Sequence, residues 1–151
     1  MPQNLLSVSH LQQHTEADCL PVCVQMVLDY LGYPTPYDRL VSLLGSDWFG
    51  TPFRHLNRLA QLGISVSIDH LAVVEIEAYL EQGLPVIACV HTADLSYWAY
   101  SSEHVVVIVG IDESHVYVND PSLAEGTYPV PVVEFELAQL NYDSLCATIR
   151  P

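Results

Sequence analysis

The chain has 151 residues, half of them apolar, enough for one compact domain over residues 1–151 with a substantial core. Eighteen acidic residues against four basic ones leave a formal charge of −14, and the basic residues are all arginines: Arg39, Arg54, Arg58 and Arg150. Without lysine there is no Schiff base, Walker-type phosphate contact or Ser–Lys dyad, and without clustered cations neither nucleic acid nor an anionic membrane is a plausible partner.

In chain order, the N-terminal stretch MPQNLLSVSHLQQHTEADC has no basic region followed by a long apolar run, so it does not read as a secretory signal. Cys19, Val22, Cys23, Met26, Val27, Tyr30 and Leu31 then recur at helical spacing. Asp18 is the expected N-cap, Pro21 fits the first turn, and Gly32 marks the stop. A loop at 33–38 leads into short helices at 37–44 and 52–62. From Gly63 the period changes: 64–68 alternates as a strand and 73–82 returns to helix. The runs LPVIACV (84–90) and HVVVIVGI (104–111) are nearly all apolar, as expected of strands covered on both faces. After the turn at Asp112-Glu113-Ser114, HVYVND (115–120) completes a hairpin. Residues 121–131 read as a loop with a short edge strand, followed by a helix at 133–140 and a strand at 144–149. Helices first and mostly antiparallel strands later indicate an α+β fold. The longest apolar stretch, Val105 to Ile111, is far short of the roughly twenty residues needed to cross a bilayer, so a cytoplasmic setting without direct membrane insertion is expected.

Four cysteines (Cys19, Cys23, Cys89, Cys146) show neither a disulfide framework nor metal-ligand spacing. Phosphate-loop, dinucleotide, zinc-protease and serine-elbow motifs are all missing. What remains is a cysteine opening a helix and a histidine opening a buried strand. At a helix N-terminus, unpaired N–H groups and the positive dipole end stabilise a thiolate, which singles out Cys19 over Cys23 one turn later. The neighbouring Asp18 opposes a thiolate unless its carboxylate is engaged elsewhere. A cysteine so placed is otherwise a core residue.

Six residues before Cys19, the amide of Gln13 is a candidate oxyanion donor alongside the Cys19 N–H; otherwise it is a solvated loop residue, and Gln12 is the substitute one position away. His104 is the candidate base. If the hairpin loop spans Ile111 to Glu113, Gly110 pairs with Ser114 and Asp120 falls opposite His104, close enough to orient the ring. A one-residue slip would separate them. His91, with Asp94, is the rival pair. Trp48 and Trp98, with Phe49, Tyr97 and Tyr100, either line a substrate cleft or cover the core edge.

The segments QHTEADCLPVCVQMVLDYLG (13–32) and EHVVVIVGIDESHVYVNDP (103–121) resemble the bacteriocin-processing, double-glycine leader peptidase family, within the papain-like cysteine peptidases. The resemblance implies a papain-like α+β fold, with the nucleophile-bearing helix packed on a mostly antiparallel sheet. It also implies Cys19 as nucleophile, His104 as general base and acid, Asp120 as its orienter and Gln13 as oxyanion donor. The implied activity is peptide-bond hydrolysis through a thioester, possibly in a leader or propeptide, with a peptide or protein substrate and no metal or organic cofactor. Acyl transfer at the same site and a silent leader-peptide-binding module are the alternatives. Two departures stand out. Leu20 follows the nucleophile where the family has a small residue, which implies altered specificity. The best-known members are N-terminal domains of peptide exporters, so a transport role here implies a separate transporter.

Overall fold

Pro21 enters α1 (Cys19–Leu31) in its first turn, and Gly32 ends it in the left-handed conformation at φ 85°. In the computed structural model, which describes residues 2–151, α1 is followed by α2 (Tyr37–Leu44) and a 3₁₀ helix (Phe53–Leu62). Next come β1 (Ser65–His70), α3 (Val73–Glu81), β2 (Val86–His91) and a single 3₁₀ turn (Thr92–Asp94). The chain closes with β3 (Glu103–Ile111), β4 (His115–Asn119), β5 (Tyr128–Pro131), α4 (Val132–Leu140) and β6 (Leu145–Arg150).

The short helix expected at 52–62 forms with 3₁₀ geometry. Phe53, Leu56, Leu59 and Leu62 recur every three residues, which aligns them on one face at three residues per turn but would smear them round an α-helix. Leu56 and Leu59 are fully buried, and Phe53 and Leu62 pack beside them.

The strands form one antiparallel sheet in the order β1-β6-β2-β3-β4-β5. The central strands are covered on both sides, which explains their nearly unbroken apolar sequences. Ile87, Val105, Val107 and Val109 face the core shared with α1, α2 and the 3₁₀ helix. Val86, Ala88, Val90, Val106 and Ile108 face the core that includes Ile76 and Leu80 of α3 and Phe135 of α4. At one edge β5 carries Pro129 and Pro131, which blunt it against further pairing.

The β3–β4 hairpin departs from the expected register. Its tip is the pair Glu113-Ser114, closed by a hydrogen bond from Asp112 N–H to the His115 carbonyl (3.0 Å), and Gly110 pairs with Tyr117 rather than Ser114. A β-bulge at Val109 then shifts the ladder, so Ile108 faces Val118 and Val107 faces Asn119. The Val109 carbonyl instead accepts the N–H of Leu6 at 2.8 Å, anchoring the N-terminal segment. Gly110 lets that segment approach closely, since a Cβ there would lie 3.0 Å from both Leu5 Cδ1 and Pro2 Cγ and push them aside. Carried one step on, the register sets Val106 opposite Asp120 and leaves His104 on the diagonal, still on the same face. The bulge restores what the shorter loop would have undone.

Candidate active site

The start of α1 differs from expectation in how Asp18 is used. It occupies the N-cap position, but its side chain makes no capping bond. Its carboxylate turns back to accept the N–H groups of His14 and Thr15, both at 2.9 Å, and the Tyr37 hydroxyl at 2.7 Å. Burial raises the Asp18 pKa, but these donors outweigh it and hold it below the ordinary carboxylate value. The charge is thus spent on the approach loop, and the N–H groups of Cys19 and Leu20 keep no side-chain acceptor.

Cys19 is partly exposed in a cleft of about 520 Å³, with Leu20, Phe49, Cys89 and His104 among its walls. Leu20 is only 2% exposed, so the residue that departs from the family pattern is packed into the wall rather than projecting across the opening. The other three thiols are buried. Burial pushes Cys23 well above the ordinary thiol range and Cys89 and Cys146 up to about 12, and Cys23 donates to the Val105 carbonyl at 3.4 Å.

His104 and Asp120, almost wholly buried, meet with Nε2 to Oδ1 at 2.6 Å. With Nε2 committed to Asp120, Nδ1 is the ring nitrogen left for the Cys19 thiol, which lines the same cleft. Burial by itself would lower the His104 pKa, but the bonds and charges of Asp120 and Cys19 prevail and raise it from 6.5 to about 9. Burial likewise pushes Asp120 upward, and His104, Tyr97 and Ser122 more than reverse this, holding it well below the carboxylate range.

The Asp120 carboxylate accepts five hydrogen bonds. On Oδ1 they come from His104, Ser122 N–H (2.8 Å) and Ser122 Oγ (2.7 Å), and on Oδ2 from Tyr97 Oη (2.5 Å) and Trp98 Nε1 (3.0 Å). Its backbone carbonyl is bonded to His10 Nε2 at 2.7 Å. None of these partners was singled out for this role from the sequence. The Ser122 contact had a signal, because Asp-Pro-Ser is a favourable sequence for an Asx-turn. The aromatic donors had none, since their proximity depends on the fold of the β2–β3 loop.

Because folding raises the His104 value, its contribution to stability is complete below pH 6.5 and fades as pH climbs through about 9. The Asp120 contribution, with its pKa lowered, is present above pH 3.8 and is lost on acidification. Thermal midpoints should therefore fall between about pH 6 and pH 10 with a component that His104→Gln lacks. Equal slopes in the two proteins would contradict the raised value.

Gln13 borders a second hollow with Trp98, Ser102, His104 and Ser122, and His104 belongs to both hollows. Its backbone N–H is tied to the Pro121 carbonyl (2.7 Å), and Nε2 donates one hydrogen to the Thr15 carbonyl (2.6 Å), leaving the second. Oε1 is buried without a partner. The rival His91 lies opposite Glu103 in the β2–β3 ladder, and among the described residues it makes no hydrogen bond to Asp94. Trp48 and Phe49 stack on each other at 3.9 Å and are about four-fifths exposed, with Phe49 at the lip of the Cys19 cleft.

Three solved structures share this architecture at low identity. A C39-like peptidase from Bacillus anthracis is 17% identical, with a TM-score of 0.81 over 99% of this chain and 96% of that one. The peptidase domain of Streptococcus ComA, a bifunctional ABC transporter of a quorum-sensing pathway, is 17% identical with a TM-score of 0.78, covering 95% and 98%. A double-glycine motif protease from an AMS/PCAT transporter, solved with its leader peptide, is 19% identical with a TM-score of 0.75, covering 99% and 95%. These likenesses establish the papain-like α+β fold expected from the sequence. No curated protein sequence matches significantly. The sequence model of the Peptidase C39 family matches residues 7–143, a span that takes in Gln13, Cys19, His104 and Asp120, and the chain belongs to that family.

Proposed function

We propose that this chain is a cysteine peptidase acting through Cys19, His104, Asp120 and Gln13. The observation that carries the reading is the buried His104–Asp120 bond at the edge of the cleft that holds the Cys19 thiol. In the reaction the Cys19 proton passes to His104 Nδ1, and the thiolate attacks the scissile carbonyl. The Cys19 N–H and the free hydrogen of Gln13 Nε2 meet the oxyanion. His104 then gives its proton to the leaving amine, and water, deprotonated by the same ring, releases the acyl group. The His104 value of about 9 favours the imidazolium that this first proton transfer creates. The chemistry needs no metal or organic cofactor.

The substrate class follows by analogy with the similar structures, one of which is a double-glycine motif protease solved with a leader peptide. A leader or propeptide is the proposed substrate, with a peptide exporter as partner. Among the described residues no helix is long and apolar enough to cross a membrane, and the four cysteines are all free, as suits a reducing, cytoplasmic setting. We read the chain as one peptidase domain, with two cores on opposite faces of a single sheet. Acyl transfer needs only an amine that reaches the thioester before water, and trapping with added nucleophiles separates the two outcomes.

The primary test is iodoacetamide alkylation of each cysteine against pH, read by mass spectrometry on the native protein. Cys19 should react well below pH 8, and His104→Ala should move its titration up toward about 8.5. Inert behaviour, or a free-thiol titration in both proteins, would overturn the proposal. Gln13→Ala should lower kcat by about 10²–10³ if its amide stabilises the oxyanion, with KM little changed. A change confined to KM would assign Gln13 to substrate binding instead.

A further inference from the structure

The loop between β2 and β3 holds none of the residues proposed above for the chemistry, yet it provides both donors to Asp120 Oδ2. Tyr97 Oη lies 2.5 Å and Trp98 Nε1 3.0 Å from that oxygen, leaving Oδ1 to His104 and Ser122. Trp98 also sets its ring against His104, with centroids 4.7 Å apart and planes at 60°. Tyr97 is backed by Tyr128 of β5 at 4.4 Å. The loop is fastened at its base by the buried Thr92, whose hydroxyl donates to the Tyr100 carbonyl and accepts the Ser102 N–H, both at 2.7 Å. It is fastened again where Ser96 N–H donates to Glu134 of α4 at 3.0 Å.

We propose that Tyr97 and Trp98 are positioning residues, which lock the Asp120 carboxylate in the plane that meets His104 and seal the His104–Asp120 bond from water. A carboxylate held on one oxygen alone can swing about its Cβ–Cγ bond. Donors on both oxygens remove that freedom, and a ring against the imidazole leaves little room for competing water. The inference rests on the roles assigned to Cys19 and His104 under the proposed function. The groups that set the His104 charge are Asp120 and Cys19, while Glu16, Glu103 and Cys89 line the same cleft and His14 and Tyr100 border the second hollow.

Three variants test it: Tyr97→Phe/Trp98→Phe, which keeps both rings and removes both donors, Trp98→Phe alone, and Trp98→Ala. The His104 titration is followed by NMR of histidine-labelled protein, with His104→Gln for assignment, alongside the pH curve for Cys19 alkylation. In Trp98→Ala, water screens both the partners and the burial, so the His104 midpoint should fall from about 9 toward 6.5. Each unit of upward movement in the Cys19 titration should cost about tenfold in alkylation on the acid side of the curve. Trp98→Phe should recover most of the midpoint by restoring the cover. The double Phe variant should lose the slowly exchanging His104 Nε2–H resonance through mobility of the carboxylate.

Folded variants whose titrations and Nε2–H resonance superimpose on the parent's would overturn the proposal. Should Trp98→Ala not fold, the two Phe variants decide the matter. NMR reads His104 without a substrate, so this inference and the proposed nucleophile can fail separately. A parent whose Cys19 is inert but whose His104 responds to these variants refutes only the nucleophile.

Discussion

Cys19→Ala should abolish turnover of a peptide substrate while the chain stays folded. The thiol is the only one of the four that is not buried, and burial pushes the other three upward, so no other cysteine can replace it. Losing the atom that forms the acyl bond should lower kcat on the order of 10⁶-fold. The partly exposed position at the first turn of α1 should limit the change in stability to about 0.5 kcal/mol. The same substitution removes one of the two partners that raise the His104 value, so that midpoint should move down from about 9 while the Asp120 bond persists. A turnover assay, a melting curve and the histidine titration check the three effects on one protein. Residual turnover near the parent's would remove Cys19 from the mechanism.

His104→Ala and Asp120→Asn should both impair the enzyme, in that order of severity, and for different physical reasons. Truncating His104 removes the proton acceptor and leaves Asp120 buried without its cation, still held by Tyr97, Trp98 and Ser122. The expected loss in kcat is on the order of 10⁴–10⁶-fold, and breaking the buried pair should cost about 3–5 kcal/mol of stability. Asp120→Asn keeps the shape but puts an NH₂ where one oxygen had accepted only donors. If the amide nitrogen faces His104, the imidazole is forced into the other tautomer; if it faces Tyr97 and Trp98, those donors are orphaned. Either arrangement should cost about 10²–10⁴-fold in kcat and about 1–3 kcal/mol for each buried donor left unpaired. Equal and negligible effects from the two substitutions would dismantle the assignment of His104 and Asp120.

How far the sequence disclosed this arrangement depended on the range of the interactions involved. The helix at Cys19, the doubly covered strands and the stop at Gly32 were legible because period and local conformation are properties of neighbouring residues. The three-residue spacing from Phe53 to Leu62 was equally local, and it fixes the 3₁₀ pitch of a helix that was expected there with no pitch assigned. That His104 and Asp120 share a face was anticipated by way of a register that is wrong: a tighter turn and a bulge, each shifting the ladder, together return the same parity. The use of Asp18 on the His14–Thr15 backbone and Tyr37, and of Tyr97 and Trp98 on Asp120, was not legible. Those contacts join segments whose spacing in the chain carries no period.

The Val109 bulge decides which length changes this chain can absorb over evolutionary time. Removing that one residue while keeping the Gly110–Tyr117 pairing would leave Ile108 opposite Val118 and Asp120 in step with Val106, on the face of His104. The lost residue would be a valine among valines, and composition, strand propensity and apolar character would barely change. A residue inserted between Ile108 and Val109, with the single bulge kept, would instead set Asp120 in step with Val107 and turn it away from His104. Among descendants of this chain, a one-residue insertion between His104 and Gly110 would be a stronger sign of lost activity than a one-residue gap there. Two such insertions, or one matched by an insertion in β4, would restore the parity.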